Sequence, residues 1–331
     1  MPAKSFPALL QAFFTDRMMR QRNASPHTIA AYRDTFRLLL RYAQERFEKA
    51  PHKIQLEDLD APFVCEFLGH LEKTRGICAT SRNVRLAAIR SFCHYLAFQL
   101  PEYAATIQRV LAIPRKRHDR ALVEYLTRPE TEALLAAPDR TTWGGRRDHT
   151  LLHLAVQTGL RVSELVGLRC QDLSLGTGAH VRCHGKGRKE RCTPLKKESI
   201  ALMRAWCSER NGTGDQPLFP NARGGSLSPD GVQYLLAKHV AAARKNCHSL
   251  CKKRVSPHVL RHTAAMDLLQ AGVDLALIAL WLGHESVETT QIYLTADMAM
   301  KEKVLALTTP LNTPHGRYRP DDDLMAFLRG L

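Results

Sequence analysis

Apolar side chains recur at three- and four-residue intervals through most of this sequence, and that spacing commits the chain to a mainly helical fold. Phe6, Leu9, Leu10, Phe13 and Phe14 predict a first helix over Phe6 to Met19. Ser25-Pro26 supplies a hydroxyl cap and then proline at the first helical position. The helix it opens puts Ile29, Tyr32, Phe36, Leu39 and Leu40 on one side and Arg33, Arg37 and Arg41 on another. A third helix is expected near Ala61 to Leu71. A fourth, opened by Thr80 or Ser81, carries Val84, Ala88, Phe92 and Tyr95 inward, with Arg82, Arg85 and Arg90 largely outward. Residues 1–112 therefore read as a bundle of about four helices with arginine-rich faces.

Pro101 ends that pattern. Ile113-Pro114-Arg115-Lys116-Arg117-His118 is basic and proline-broken, so residues 113–122 read as a linker, with a boundary near residue 119. A chain of 331 residues suits two domains. The second, residues 123–307, opens at Thr127-Arg128-Pro129-Glu130, an N-cap followed by proline and an acidic first turn. An apolar helix over Thr150 to Thr158 stops at Gly159, and a short one over Ser163 to Leu168 follows. His180 to His184 and Lys189 to Leu195 alternate as strands around Gly185-Lys186-Gly187-Arg188, a hairpin tip. Further helices are expected near Ile200 to Arg210, Pro229 to Arg244, Pro257 to Ala271 and Asp274 to Leu282. The fold class is thus an N-terminal helical bundle plus a mixed, mostly helical domain with a small β-hairpin. Residues 308–331 form a tail with a short amphipathic run, Leu324 to Leu331.

Charge narrows the partners. Forty-eight Lys and Arg against 32 Asp and Glu leave a formal +16, of which residues 1–119 carry +8 and the remainder +8. Such a surface suits a polyanion, because each neutralised phosphate releases condensed counterions. Both halves should touch it, as a clamp would; plain surface solubility is the bland alternative. No apolar run approaches the roughly 18–20 residues that span a bilayer. Nine cysteines, irregularly spaced and without a signal peptide, read as reduced thiols in a cytoplasm. Cys247, His248 and Cys251 lie close together, as do Cys183, His184 and Cys192, but neither group has paired zinc-ligand spacing. No metal or cofactor site is read, and no P-loop for ATP is present.

Three stretches carry candidate chemistry: Thr158-Gly159-Leu160-Arg161-Val162-Ser163-Glu164-Leu165, Pro257-His258-Val259-Leu260-Arg261-His262, and Leu282-Gly283-His284 with Tyr293 nine positions on. Singly, each has a duller reading. Arg161 could pair with Glu164, His258 could cap its helix, His284 could close one, Tyr293 could be core, and Lys186 could be a solvated turn. Together, in this order, they resemble the boxes of the tyrosine recombinase (phage integrase) family, of its two-domain Xer-like type. The resemblance covers residues 5–307, because Ser25-Pro26-His27-Thr28 and Thr80-Ser81-Arg82-Asn83-Val84-Arg85 are similar to the family's core-binding helices.

The resemblance implies that Arg161 and Arg261 bind the scissile phosphate and that Tyr293 attacks it. His258 would be the base or relay, Lys186 the acid that protonates the leaving 5′ oxygen, and His284 a donor to a non-bridging oxygen. Glu164 matches a supporting acidic position, and His262 a neighbour without an assigned role. Guanidiniums hold phosphate oxygens bidentately and stay charged, so the chemistry need not use a metal, and without a P-loop ATP is not implied. Duplex DNA with core sites is the implied partner, contacted through Arg82, Arg85, Arg90, Arg115, Lys116, Arg117 and Arg188. Exchange between two duplexes implies a tetramer on DNA, a cytoplasmic, nucleoid-associated setting, and a C-terminal helix docking on its own domain or a neighbour. A mobile element or replicon resolution would both suit it, and the lack of an evident arm-binding domain leans toward the simpler Xer-like type. Type IB topoisomerase-like relaxation and non-catalytic DNA binding on the same fold are the rival readings.

Overall fold

A computed structural model describes residues 5–117, 123–185, 190–284, 286 and 289–293. Lys186, Arg188, the run Met298 to Leu307 and the tail lie outside the described residues. The chain divides into two compact units, one within residues 1–120 and the other within 121–331. No helix among the described residues is long and apolar enough to cross a membrane.

The first unit holds α1 (Phe6–Ala12), α2 (Pro26–Phe47), α3 (Ala61–Arg75), α4 (Ala79–Gln99) and α5 (Ala104–Leu111). Ser25 caps α2 by accepting from the Thr28 amide, as its sequence suggests. From Phe13 to Gln21 the first helix widens into π-helical turns. Phe13 and Met18, five residues apart, are both fully buried, and only the wider turn puts that spacing on one face. The core is aromatic: the Phe92 ring centre lies 5.3 Å from those of both Phe13 and Phe36, and Phe6 and Tyr95 pack with them.

Two expectations for this unit need correction. Helix α5 has no counterpart in the sequence reading. On α4 the arginines are not outward: Arg82 is buried, Arg85 and Arg90 are half-buried, and Val84 is the exposed residue. Their guanidiniums find backbone carbonyls. Arg82 Nη1 donates to Pro114 O (3.0 Å), Arg85 Nη1 to Ala31 O (3.2 Å), and Arg90 Nη2 to Leu111 O and Ile113 O (2.7 and 2.5 Å). Asn83 adds a reciprocal pair with the Lys116 backbone. A guanidinium's long stem lets it cover apolar surface while its head reaches carbonyls, here chiefly those of the chain at and just beyond the end of α5. Arg33, Arg37 and Arg41 on α2 are the ones that face outward, with Arg115, Lys116 and Arg117 exposed beyond α5.

The second unit opens with α6 (Arg128–Ala136), whose Thr127 amide donates to the Glu130 carboxylate at 2.8 Å. Then come α7 (Trp143–Thr158), α8 (Val162–Gly167), β1 (Leu173–Ser174), β2 (His180–His184) and β3 (Glu190–Pro194). The strands form one antiparallel sheet in the order β1-β2-β3; β1 adds a third strand to the expected hairpin. Helices α9 (Lys197–Arg210), α10 (Pro229–Ala243), α11 (Pro257–Gln270) and α12 (Leu275–Leu282) complete the described part. The main core gathers Leu151, Leu152, Trp206, Phe219 and Leu236. A separate cluster of Ala265, Met266, Leu269, Ile278, Leu282 and Tyr293 lies where α11 meets α12.

Candidate active site

Helix α7 ends because Gly159 takes φ +64°, a conformation that suits glycine. There is also no room for more: a Cβ would sit 2.7 Å from Leu282 Cδ2 and 3.1 Å from Ala264 Cβ. That turn delivers Arg161 to the start of α8. Its amide donates to Glu164 Oε2 (2.8 Å), its Nη1 to Glu164 Oε1 (3.0 Å), and its Nη2 to the Gly283 carbonyl (3.1 Å). The pairing with Glu164 is therefore real, yet the same guanidinium also reaches the end of α12. Arg261 on α11 is 4% exposed. It donates through Nη1 to Gly159 O (2.6 Å) and through Nη2 to Leu282 O (2.7 Å). Both carbonyls close helices, where orphan acceptors and the macrodipole favour a cation. Burial first, then the repulsion of Arg161 and Arg191, lowers the Arg261 pKa to about 10, so it remains a cation at neutral pH.

Tyr293 sits on a single turn, residues 291–293, with its ring in the α11–α12 cluster and 1% exposed. Its hydroxyl lies 3.0 Å from His262 Nδ1. Burial raises the phenol's pKa, while Arg261 and Arg161 pull against that rise. The His284 amide donates to Ala279 O, and its Nδ1 lies 2.8 Å from the buried Thr290 hydroxyl. Burial and the facing Arg261, Arg161 and Arg191 push His284 to about 4. Burial, His258 and Arg261 do the same to His262. Both imidazoles are neutral at pH 7.

Arg161, Arg261, His284 and Tyr293 thus converge from four segments. His258 is exposed and one ring removed from the phenol, its centre 6.5 Å from that of His262. Three participants are missing from the sequence reading: His262 as the phenol's partner, Thr290 on His284, and Arg191. The signal for Arg191 is strand alternation. It pairs with Cys183 across the hairpin, and residues directly opposite share a face, so Arg191 points inward with the buried Cys183. Among the described residues no group of three or more His, Cys, Asp or Glu is placed to hold a metal ion.

Two depressed imidazoles make this unit acid-sensitive. The unfolded chain binds protons at them from about pH 6.5 downward, the folded chain only from about 4. The unfolded state therefore gains protons across that window, and folding stability falls as pH drops through it. A thermal melt series should show a falling Tm between pH 6.5 and 4, with less slope in His284→Gln. Carboxylates held low by their partners, such as Glu164, add to the loss at the acid end.

Comparison with known proteins decides the family. The pattern of the phage integrase family matches residues 124–300, and that of the phage integrase N-terminal SAM-like domain matches residues 12–99. The chain belongs to the phage integrase, or tyrosine recombinase, family. It is accordingly a DNA strand-transferring enzyme of site-specific recombination. It is 60% identical to y4rC of Sinorhizobium fredii, named as an integrase/recombinase, over 99% of this chain and 98% of that one. It is 35% identical to the tyrosine recombinase XerC of Pelobacter propionicus, over 82% of this chain and 86% of that one. A crystal structure of the XerH site-specific recombinase, bound to a palindromic difH substrate after cleavage, aligns with a TM-score of 0.69. The sequences there are 26% identical, over 86% of this chain and 81% of that one.

The end of α12 is closely packed in this structure. Gly283 has φ +66°, and a Cβ there would meet Arg191 Nη1 at 2.7 Å. Gly283→Ala should therefore lower the unfolding free energy by roughly 1–2 kcal/mol from backbone strain alone, read from denaturant melts.

Proposed function

We propose that Tyr293 attacks a DNA phosphodiester, displacing the 5′ oxygen and leaving a 3′-phosphotyrosyl link that a second duplex's 5′-hydroxyl then resolves. The observation that carries this reading is the shared, mostly buried cluster of one phenol and two guanidiniums, drawn from three separate segments of the chain. Arg161 and Arg261 would take up charge on the non-bridging oxygens. His284, with Nδ1 engaged by Thr290, keeps Nε2 for a further oxygen. His262 holds the phenol ready, and His258 beside it can pass the proton outward. A neutral His262 is a weak base for a phenol, so the entering phosphate's negative charge has to raise imidazole basicity before the proton moves. Tyr293 is 1% exposed, so its turn must shift outward for a phosphodiester to reach it.

Lys186 keeps its proposed role as acid to the leaving 5′ oxygen. A Lys186→Ala variant should cleave slowly on ordinary DNA and recover on a bridging phosphorothiolate, whose sulfur leaves without a proton. Absence of recovery in single-turnover assays would remove that role. The proposed partner is duplex DNA carrying two core sites, in keeping with the substrate of XerH and with the net +16. Four strands need four nucleophiles, hence a tetramer on DNA. The test is to trap covalent adducts in cells expressing the protein and to sequence the attached DNA. A recurring site joined through its 3′ phosphate to the Tyr293 peptide is expected. Adducts on another residue, or relaxation of supercoils with no site pairing, would defeat the proposal.

A further inference from the structure

Arg161 donates Nη1 to Glu164 at 3.0 Å. A lone carboxylate at that distance would largely cancel the cation's charge, and with it the attraction for a phosphate. The structure shows a second guanidinium on the same carboxylate. Arg191 of β3 donates Nη1 to Oε1 (2.9 Å) and Nη2 to Oε2 (2.8 Å), a bidentate fork on a side chain only 2% exposed. Counting the Arg161 amide on Oε2, Glu164 is saturated. Arg191 itself is enclosed, at 13% exposure, whereas Arg161 is 27% exposed. The outer cation is thus open to solvent and the inner one is committed to the carboxylate.

We infer that Arg191 is a positioning residue for strand cleavage: it neutralises Glu164, so that Arg161 is held in place without losing its charge to the group that holds it. The inference rests on the reading of Arg161 as a phosphate-binding group. Among the described residues, the charges facing the pocket are Arg161 from the start of α8, Arg191 from β3 and Arg261 from α11, against Glu164 from α8. His262 and His284 are neutral, and burial pushes the facing Cys183 thiol up to about 11. Three guanidiniums against one carboxylate leave an excess of two positive charges; without Arg191 the excess is one. Gly283 makes the arrangement possible, because any side chain there would collide with the Arg191 fork.

The test separates charge from packing. On a nicked duplex bearing the site recovered from trapped adducts, Arg191→Met should slow single-turnover adduct formation by on the order of 10²-fold. Arg191→Gln, which can still hydrogen-bond Glu164, should lose as much. Arg191→Lys keeps the charge but not the fork, so it should be slower than wild type yet faster than both neutral variants. Adding Glu164→Gln to Arg191→Met removes the uncompensated charge and should restore at least about tenfold, whereas a purely structural Arg191 would make the double variant no better. A second measurement needs no DNA: NMR titration of His284, about 4 in the intact site. Arg191→Met should raise that pKa and the added Glu164→Gln should bring it back down. Rate retained in either neutral variant, a double variant no faster than Arg191→Met, or an unmoved His284 titration would overturn the inference. If the His284 titration follows the charges while the wild-type chain traps no adduct, the failure belongs to the proposed reaction instead.

Discussion

Tyr293→Phe should bind the same DNA as the wild-type chain and form no covalent adduct with it. The substitution removes one oxygen from a ring that is otherwise packed among Ala265, Met266, Leu269, Ile278 and Leu282. The stability cost is the hydroxyl's contact with His262, about 1 kcal/mol for a typical hydrogen bond, so the fold and the DNA-binding surface survive. The chemistry does not, because no other side chain within reach of both guanidiniums offers an equivalent oxygen among the described residues. The measurement is a denaturing gel of protein incubated with a nicked suicide duplex, beside a native gel for binding. Tyr293→Ala is the wrong comparison: emptying so buried a site would cost roughly 3–5 kcal/mol from the cavity, confounding loss of the nucleophile with loss of the fold. An adduct that persists in the phenylalanine variant would sink the assignment of Tyr293.

Periodicity made the helices legible. Gly159 was readable as a helix stop because only a residue free of Cβ can take its left-handed turn against Leu282 and Ala264. Amphipathic spacing failed on α4, where it treats arginine as a residue for water. Arg82 and Arg90 instead secure the carbonyls of the chain leaving α5, and no local pattern announces a carbonyl more than twenty residues away in need of a donor. Helix α5 itself, eight residues behind a proline, is too short for its spacing to stand out. At the site, each short motif was visible but its contacts were not. Arg161 meets Gly283, and Arg261 meets Gly159, across more than a hundred residues. The His-x-x-Arg spacing drew attention to His258 on the Arg261 face of α11. The phenol comes instead to His262, one turn further along, because the turn at 291–293 places it there. Arg191 looked like any charged residue of a short strand, and only its register opposite Cys183 turns it inward.

Replacing Arg261 should cost the recombinase both rate and fold, and lysine can separate the two. Arg261→Ala deletes the donors to Gly159 O and Leu282 O, each a buried carbonyl at a helix end. Leaving such groups unsatisfied costs about 1–3 kcal/mol apiece, so roughly 2–6 kcal/mol in all, or on the order of 10 °C in the Tm of a unit this size. Arg261→Lys keeps a positive charge and can satisfy one carbonyl, so it should recover a large part of that loss. It cannot recover the planar fork that holds two phosphate oxygens at once. Its single-turnover cleavage, measured well below its own melting temperature, should therefore remain about 10³-fold down, the scale on which an arginine acts in phosphoryl transfer. If the lysine variant cleaves within a few-fold of wild type while melting lower, Arg261 is a strut between α7, α11 and α12. The charge stabilisation would then have to come from Arg161 and the groups behind it.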